Sequence, residues 1–384
     1  MEFLKVKGSY YEMGFQQGEY FCKDIKTSFE RLIKSKAIKS IKPKLFPNFV
    51  FSKLLKYVIY KKWKKPIEIL IPDYSNRIKG IADGADVDVG ELYVIQSIEV
   101  MADDVRYFLK NNTNFTPLGC SSICILPKMT YNNELILGKN FDYLSEFLTD
   151  QIVRISQPKE GYKSIEITYK QIAGCHDGMN EKGLVVLYNY GLTIEKVQTR
   201  IPITILVQQL LERCANIEEA IMFIKSFRYP NGAILTLADA SNRTVCVEIT
   251  PEHIGFRKPS DGVVVATNFY ISEEVKKYDI PHNAYFKKWG LPKELQNKRV
   301  HQSNELRYLR ILQMLKEKHK VSLEDIEEIL KDHSNKNSGD DDTICRHGEL
   351  LSTQASIIFL PKSKKIKVCF GQPCKNKYTE FSLD

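Results

Sequence analysis

Residues 119–126, Gly-Cys-Ser-Ser-Ile-Cys-Ile-Leu, mark the point where the sequence changes from helical to strand-like. In the part before them, 10–25 has few helix breakers and 91–109 repeats apolar residues with a period close to 3.6. After them, short apolar runs alternate with turn residues, which is typical of β-hairpins. The sequence therefore predicts a mainly helical segment over 1–119 and a sheet-rich core over 120–384, together forming one fold.

The strand-like runs of the second part are joined by short turns, as in antiparallel hairpins. Between them, the apolar stripe of 203–211 predicts one helix, and Asn216 with Glu219 resembles the capping-box start of a second. A later helical pair is predicted over about 304–332, with Ser322 as an N-cap. No Gly-rich loop follows a strand, which argues against a nucleotide-binding fold. The pattern predicts the α+β class, with antiparallel sheets covered by helices.

Composition and charge exclude several other classes of protein. The 384 residues are 43% hydrophobic and 27% charged, as in globular proteins, and the net charge of +9 is too small to indicate nucleic-acid binding. No apolar run reaches the length of a spanning helix, so we expect no integral membrane association. The N-terminus is charged at once, and the nine cysteines contain no CxxC pair. We therefore expect a cytoplasmic protein with reduced thiols, no metal and no cofactor.

The first predicted hairpin brings a carboxylate close to a cysteine. If its turn is centred near Tyr131, residues i and 262 − i face each other, which places Cys120 opposite Asp142. Facing residues in an antiparallel pair lie about 4.5–5.5 Å apart at Cα. By itself this pair also fits a buried structural cysteine beside a turn aspartate.

An ordered series of short motifs resembles the N-terminal-nucleophile (Ntn) amide hydrolases. The nearest group is the penicillin (isopenicillin N) acyltransferase-like family, which is related to the choloylglycine hydrolases. The resemblance runs from about residue 5 to 378, and residues 8–18 resemble the opening of the acyltransferase precursor. The motifs are Gly119-Cys120, Gly138-Lys139-Asn140-Phe141-Asp142, Gly178-Met179-Asn180-Glu181-Lys182-Gly183-Leu184, Ala238-Asp239-Ala240, Val247-Glu248-Ile249-Thr250-Pro251, Ala266-Thr267-Asn268, Thr343-Ile344-Cys345-Arg346 and Gly371-Gln372-Pro373.

The resemblance implies a four-layer αββα sandwich and self-cleavage between Gly119 and Cys120. The cut would give Cys120 an α-amino group, whose pKa of about 7.7–8.0 suits a general base near neutral pH. By resemblance, Asp142 orients the new ammonium group and Asn268 helps to bind the oxyanion. Asn189, at the end of a predicted strand over 184–188, is implied as a second oxyanion residue, and Arg346 lies near the nucleophile.

Each assignment has a structural alternative. Asn268 also fits a turn after a strand, the alignment at Asn189 can slip by a residue, and Arg346 also suits a structural salt bridge. We expect Lys139, where choloylglycine hydrolases carry arginine, to be solvated. We expect Asp239 and Glu248 to be structural and Cys124 to be buried on the face of Cys120. His176 offers an alternative base, in a Cys–His pair.

The function predicted from the sequence is that of an autoprocessed cysteine amidohydrolase or acyltransferase, acting on linear amide bonds through an acyl-enzyme at Cys120. The expected partner is a small amide or acyl-thioester substrate, and the two fragments would stay associated. One alternative is an unprocessed Cys–His hydrolase. Another is a non-enzymatic binder of anionic surfaces through 31–65, where twelve Lys and Arg residues are interleaved with aromatic residues and no acidic residue occurs.

Overall fold

The computed structural model describes residues 2–35, 38–39, 42, 46–97, 119–196, 201–227, 229, 231–286, 296–334, 336–348 and 351–383. The N-terminal part begins with a strand and continues as helices. They are β1 (Phe3–Gly8), α1 (Tyr10–Tyr20), α2 (Cys22–Lys34), α3 (Asn48–Ile59), a π-helical turn (Tyr60–Lys64), α4 (Lys65–Leu70), α5 (Pro72–Ala85) and α6 (Val89–Gln96).

Among its described residues, the second part contains the remaining strands and four α-helices. They are β2 (Gly119–Ile125), β3 (Ile136–Leu144), β4 (Gln151–Pro158), β5 (Ser164–Tyr169), β6 (Asp177–Asn180), β7 (Val185–Gly191), α7 (Ile203–Arg213), α8 (Ile217–Ser226), β8 (Gly232–Ala238), β9 (Thr244–Ile249), β10 (Ile254–Arg257), β11 (Val263–Ala266), α9 (Gln302–Lys316), α10 (Leu323–Lys331), β12 (Leu351–Leu360), β13 (Lys365–Phe370) and β14 (Thr379–Ser382). None of the described helices has both the length and the apolar character needed to cross a membrane.

The strands form two sheets. The larger has eight strands in the order β1-β4-β5-β6-β7-β8-β9-β10, and the smaller has six in the order β11-β2-β3-β12-β13-β14. Neighbouring strands pair antiparallel, except that β1 pairs parallel with β4. The N-terminal segment therefore supplies an edge strand to the larger sheet.

Three apolar clusters define the layers. One lies between the two sheets, since it contains both Cys124 of β2 and Leu187 of β7, and it extends under the N-terminal helices. The second packs α7 and α8 on the outer face of the larger sheet. The third packs α9 and α10 on the outer face of the smaller sheet. Alternate residues of each strand serve opposite faces, so the chain forms four αββα layers, and the predicted α+β class is confirmed.

Two glycines on each of α1 and α5 allow these helices to pack with their backbones in contact. A Cβ on Gly14 or Gly18 would lie 2.1 or 2.2 Å from a carbonyl oxygen of α5. A Cβ on Gly80 or Gly84 would lie 2.2 or 2.3 Å from a carbonyl oxygen of α1. A side chain at any of these positions would push the helices apart.

Buried polar groups anchor this helical pair to the core. Arg154 of β4 forms an ion pair with Glu166 at 2.6 Å and donates to Gln17 Oε1 of α1 at 2.8 Å. Arg77 of α5 lies 3.5 Å from Glu212 of α7. All four charged side chains are fully buried, so loss of one partner would leave an uncompensated buried charge.

Several sequence predictions about elements are confirmed and others are wrong. Asn216 and Ser322 accept hydrogen bonds from Glu219 N and Asp325 N, as N-caps do. The predicted helix over 10–25 is divided at Phe21 into α1 and α2. The strand β1 was missed. The helix predicted over 91–109 begins earlier and ends at Gln96, and residues 98–118 lie outside the described residues.

Candidate active site

Cys120 is the second residue of β2, and its side chain faces the larger sheet. The side chains of Cys120, Ser122 and Cys124 point between the sheets: both cysteines belong to the cluster there, and Ser122 Oγ donates to Asn189 of β7. Ser121 points the other way, towards α9, where it accepts a hydrogen bond from Arg307. The prediction that Cys124 is buried on the face of Cys120 is confirmed.

The predicted register of the hairpin is wrong by one residue. Cys120 pairs with Phe141, and Asp142 pairs with Gly119. The ten residues between the last pair, Ile125 and Ile136, include a 3₁₀ turn, so no tight turn fixes the register. A one-residue shift moves a side chain to the other face of a sheet. Asp142 therefore lies on the α9 side, whereas the Cys120 thiol lies on the opposite side.

Asp142 is a fully buried carboxylate beside the backbone of Gly119. Its Oδ1 accepts from Thr353 Oγ1 at 2.8 Å, and its Oδ2 lies 3.8 Å from Arg346 and 4.0 Å from Arg307. Burial raises the pKa of the carboxyl, and the two arginine charges oppose this shift. A Cβ on Gly119 would lie 3.4 Å from Oδ2. The Asp142 carboxylate therefore lies beside Gly119, the residue that precedes the nucleophile, and not beside the Cys120 thiol.

The backbone of Cys120 is held at both ends. Its N–H donates to Asn268 Oδ1 at 2.9 Å, and its carbonyl oxygen accepts from Arg307 Nη1 at 2.6 Å. Asn268 Nδ2 in turn donates to Tyr190 O at 2.9 Å. Asn268, rather than Asp142, is therefore the hydrogen-bond partner of the nitrogen that would become the α-amine. The predicted neighbourhood of Asn268 and Cys120 is present.

Arg307, on the inward side of α9, is a site residue that sequence analysis missed. It is fully buried and donates to Cys120, Ser121, Asn268 and Asn304. Burial, reinforced by the charge of Arg346, lowers the pKa of its guanidinium to about 10. The sequence contains a sign of this role. Residues 304 and 307 lie on the same helix face as the apolar residues 311 and 315, yet both are polar.

Lys139 is buried, which corrects the expectation that it is solvated. It lies on β3 on the same sheet face as Phe141, and its ammonium donates to Asp177 Oδ1 at 2.6 Å and to Tyr188 O. Burial raises the pKa of the Cys120 thiol to about 12, and the positive charge of Lys139 opposes this rise. The cation on the thiol's own face is therefore Lys139.

Asn189 lies inside β7, rather than beyond the end of a strand over 184–188 as predicted. Its side chain reaches across to the smaller sheet, where Nδ2 donates to Ala266 O at 3.0 Å and Thr267 O at 3.1 Å. Both hydrogens of the amide have partners in this arrangement. Asn189 thus holds the strand end that leads into Asn268, and its predicted contact with an oxyanion stays a prediction.

Arg346 lies against Gly119. A Cβ on Gly119 would be 2.2 Å from Arg346 Nη1. Arg346 also lies 3.6 Å from Asp341 and, as described, 3.8 Å from Asp142. The predicted nearness of Arg346 to the nucleophile is thus present on the α9 side, and glycine is the residue that leaves room for the guanidinium.

A cleft lies between the N-terminal helices and the two sheets and is linked to Cys120 through Phe141, which pairs with Cys120 across the strands. None of the described residues that line it carries an Asp, Glu, Lys or Arg side chain. Phe141, opposite Cys120, is in ring contact with three lining residues. They are His176 at 4.9 Å, Tyr143 at 5.7 Å and Tyr169 at 6.1 Å between ring centroids.

The remaining candidate residues take part in structural contacts. Glu248 pairs with Arg257 and accepts from the backbone amides of Ile271 and Ser272. Asp239 accepts from Ser241 N in a turn and pairs with Arg243. These contacts agree with the structural role that the sequence analysis expected.

Among the described residues, one group of His, Cys and carboxylate side chains is close enough to hold a metal. It consists of His333, Cys345, His347 and Cys374, in the loops around β12 and β13 rather than on β2. The sequence analysis expected no metal and missed this group, because its members are separated by eleven, one and twenty-six residues.

Comparisons with solved structures give partial similarity. A mutant of the conjugated bile acid hydrolase from Clostridium perfringens aligns with a TM-score of 0.45 and 13% identity, over 69% of this chain and 97% of that chain. The N-acylethanolamine-hydrolyzing acid amidase orthologue from Caenorhabditis elegans aligns with a TM-score of 0.44 and 15% identity, over 63% of this chain and 93% of that chain.

Sequence comparisons give a curated relative and a family. The β-alanyl-dopamine/carcinine hydrolase of Drosophila melanogaster is 28% identical over 145 residues, or 38% of this chain. The aligned part spans 34% of that relative's length. The family profile of acyl-coenzyme A:6-aminopenicillanic acid acyl-transferase matches residues 129–375, which include Asp142, Asn189, Asn268 and Arg346 and begin after Cys120. This match covers more than half of the chain, which therefore belongs to the acyl-coenzyme A:6-aminopenicillanic acid acyl-transferase family.

Proposed function

We propose that this protein is a cysteine amidohydrolase or acyltransferase that cleaves itself between Gly119 and Cys120 and then forms an acyl-enzyme at Cys120. The observation that carries the proposal is the environment of Cys120. Its backbone N–H donates to Asn268, and its carbonyl oxygen accepts from Arg307. Its thiol lies on the same sheet face as the Lys139 cation and as Phe141, whose ring contacts residues that line the apolar cleft. The chain belongs to an acyl-transferase family and is similar over part of its length to a β-alanyl-dopamine/carcinine hydrolase, which supports acyl chemistry of this class.

The protonation of the thiol supports a need for a base. Burial raises the pKa of the Cys120 thiol, so the thiol is protonated at neutral pH and must lose its proton in order to attack. Cleavage before Cys120 would create an amine with a pKa of about 7.7–8.0 on the same residue, and its neutral form can accept the thiol proton. Asn268 Oδ1, which accepts from Cys120 N in the uncleaved chain, is positioned to orient that amine.

The proposed reaction then takes two steps. The thiol sulfur attacks the carbonyl carbon of the bound amide while its proton moves to the α-amine. The C–N bond breaks, the leaving amine takes that proton, and a thioester remains on Cys120. Water, or an acceptor amine, then attacks the thioester carbonyl and gives its proton to the thiolate through the α-amine. The two outcomes are hydrolysis and acyl transfer.

The cleft suggests the class of acyl group. Its walls carry Leu32, Ile95 and Ile172 together with the aromatic residues next to Phe141. Because burying an unpaired charge is costly, such a cleft favours an uncharged, apolar acyl group. Leu32 and Ile95 come from α2 and α6, so the N-terminal fragment would be needed for substrate binding after cleavage.

The test uses amides of a single chromogenic amine that differ only in the acyl group. We expect turnover with apolar acyl groups, no turnover by Cys120→Ala, and slow turnover by Cys120→Ser, because a hydroxyl is a weaker nucleophile than a thiolate. Cys124→Ser is the matched control, since Cys124 is buried on the same strand and face. Turnover by Cys120→Ala at the wild-type rate would refute the proposal. An uncleaved but active chain that needs His176 would favour the Cys–His alternative.

A second candidate function is supported by the stretch 31–65. Phe49 and Tyr57 of α3 are 67% and 57% exposed, which differs from aromatic residues packed on a core, although Trp63 is buried. Lys61 lies 5.1 Å from the centre of the Tyr57 ring. Exposed apolar side chains among lysines are typical of segments that bind anionic lipid surfaces. We propose that this stretch binds such a surface.

Vesicle sedimentation tests this second candidate. We expect the wild-type protein to bind vesicles that contain phosphatidylserine, to bind more weakly at high salt, and not to bind pure phosphatidylcholine vesicles. A Phe49→Ser and Tyr57→Ser double variant should lose binding, whereas Tyr131→Ser, which alters an exposed aromatic residue in a turn outside this stretch, should retain it. Equal binding by the double variant and the control would contradict the proposal.

A further inference from the structure

Four nitrogen and sulfur ligand atoms converge beside the candidate active site. His333 follows α10, Cys345 and His347 precede β12, and Cys374 follows β13. The Nε2 atoms of the two histidines are 3.1 Å apart, and the Sγ atoms of the two cysteines are 3.6 Å apart. His347 Nε2 lies 3.4 Å from Cys345 Sγ and 3.2 Å from Cys374 Sγ. All the ligand atoms lie within 4.8 Å of one another.

These distances match the edges of a metal-centred tetrahedron. Zinc bonds of about 2.3 Å to sulfur and about 2.0–2.1 Å to nitrogen, at tetrahedral angles, give edges of about 3.8 Å for S–S, about 3.3 Å for N–N and about 3.6 Å for N–S. Four of the six edges, given above, are each shorter than these values by a few tenths of an ångström, and the two edges from His333 to the sulfur atoms are no longer than 4.8 Å. A small rearrangement of the four side chains would therefore admit the ion.

Gly339 supports this interpretation independently. A Cβ at this position would lie 2.4 Å from Cδ2 of His347 and 2.9 Å from Cδ2 of His333. Only a residue without a side chain lets the loop pass over both imidazole rings at this distance. The loop thus packs directly on the pair of histidines.

We propose that His333, Cys345, His347 and Cys374 bind one zinc ion as a Cys₂His₂ structural site. Two thiolates and two imidazoles in a tetrahedral arrangement select zinc rather than calcium or magnesium, which prefer oxygen ligands. With all four positions taken by the protein, the ion has no open position for substrate, so it would be structural rather than catalytic. The proposal does not depend on the function proposed for Cys120.

The ion would fix the chain on both sides of Arg346. Two of its ligands, Cys345 and His347, flank this residue in sequence. Arg346 N donates to Thr353 Oγ1 at 2.9 Å, and the same hydroxyl donates to Asp142 Oδ1 at 2.8 Å. Arg346 is therefore a positioning residue between the metal site and the backbone of Gly119, and loss of the ion would loosen this connection.

The metal content of the purified protein, with both fragments present if the chain is cleaved, tests the proposal directly. After growth with added zinc and extensive dialysis, we expect elemental analysis to find one zinc per chain. Replacement by Co²⁺ should give the visible absorption of tetrahedral cobalt with thiolate-to-metal charge transfer. Cys374→Ser, at an exposed position, should abolish zinc retention while the chain stays folded by circular dichroism. His347→Asn should do the same.

Matched controls are available for both residue types. Cys22→Ser and His319→Asn alter a cysteine and an exposed histidine outside the cluster, and both variants should retain one zinc. Absence of zinc from the wild-type chain would overturn the proposal. A wild-type chain that is lighter by two hydrogens and regains them on reduction would also overturn it, because Cys345 and Cys374 would then form a disulfide.

Discussion

Asn268 has two separable chemical groups at the candidate site, and a pair of variants tests which one matters. Its Oδ1 accepts from Cys120 N at 2.9 Å and from Arg307 Nη2 at 3.2 Å. Its Nδ2 donates one hydrogen to Tyr190 O, and the second is the proposed donor to the oxyanion. Asn268→Ala removes the acceptor and the donor, whereas Asn268→Asp keeps the acceptor and removes the donor.

The two roles differ in magnitude. An oxyanion donor acts mainly in the transition state, and its loss costs about 2.7–4 kcal/mol, or roughly a hundredfold to a thousandfold in kcat with little change in KM. A neutral hydrogen bond that only anchors the backbone contributes about 1 kcal/mol, or roughly fivefold. If Asn268 donates to the oxyanion, we expect both variants to lose at least about a hundredfold in kcat.

The assay must count only processed chain, because Asn268 also holds the nitrogen of the scissile bond. Active-site titration by the first burst of released amine gives the concentration of competent thiol, and kcat is then calculated per thiol. Asn180→Ala is the control: Asn180 is a buried asparagine whose amide donates to Leu211 O and Cys214 O away from Cys120. Near-normal kcat in processed Asn268→Asp, with loss only in Asn268→Ala, would refute the donor role and leave the anchoring role.

Buried groups in and beyond the candidate site give three further expected outcomes. Asp142→Asn should slow self-cleavage more than Glu248→Gln, because it removes the negative charge that lies 3.8 Å from Arg346 and 4.0 Å from Arg307 beside Gly119; equal rates on a time course of denaturing gels would contradict this. Gly80→Ala should lower the free energy of unfolding by about 1–3 kcal/mol, because its Cβ would meet the backbone of α1, whereas the Cβ of Gly90→Ala has its closest contact with a side chain of an exposed turn. Urea titration checks this, and equal midpoints would refute it. Under reducing conditions, the free energy of unfolding should not depend on the thiols below about pH 9 and should fall between pH 9 and 12, by about 1.4 kcal/mol per pH unit for each fully buried thiol. The reason is that burial raises the pKa of these thiols to about 12 in the folded chain, whereas they titrate near 9.0 in the unfolded chain. The thiols are those of Cys120, Cys124 and Cys246, and a constant unfolding free energy from pH 8 to 10 would contradict the prediction.

The α+β class, most strands and the helix caps followed from local patterns, because periodicity and capping residues act over a few positions. The strand β1 could not be predicted from its own six residues. Its partner β4 lies about 150 residues away and pairs in parallel. The register of β2 with β3 failed for a related reason, since a ten-residue connection leaves the pairing to be set by the packing of both sheets.

Site residues that belong to recognisable motifs could be proposed from the sequence, whereas those that depend on packing between distant elements could not. Gly119, Asp142, Asn268 and Arg346 come together around the backbone of Cys120, as the motif order implied. Arg307 was missed because the arginines of an amphipathic helix, here Arg307 and Arg310 of α9, resemble solvated residues. Lys139 was misjudged because its partner Asp177 belongs to the other sheet, and nothing near Lys139 in the sequence announces a buried ion pair.

Association of the fragments after cleavage also remains a prediction, and the structure gives it a physical basis. The N-terminal part supplies β1 to the larger sheet, and its Arg77 and Gln17 belong to the buried network of Arg154 and Glu212. Separation of the fragments would expose these charges and one wall of the cleft. We therefore expect the fragments to stay together until the fold is denatured.

The mass of the purified protein, under denaturing and then native conditions, distinguishes a processed enzyme from an unprocessed one. We predict two denatured masses that correspond to residues 1–119 and 120–384, the second fragment having 384 − 119 = 265 residues. We also predict a single native mass equal to their sum, and one uncleaved mass for Cys120→Ala. A wild-type preparation that hydrolyses amides while every chain keeps its full mass would contradict the claim that Cys120 acts with its own α-amine as base.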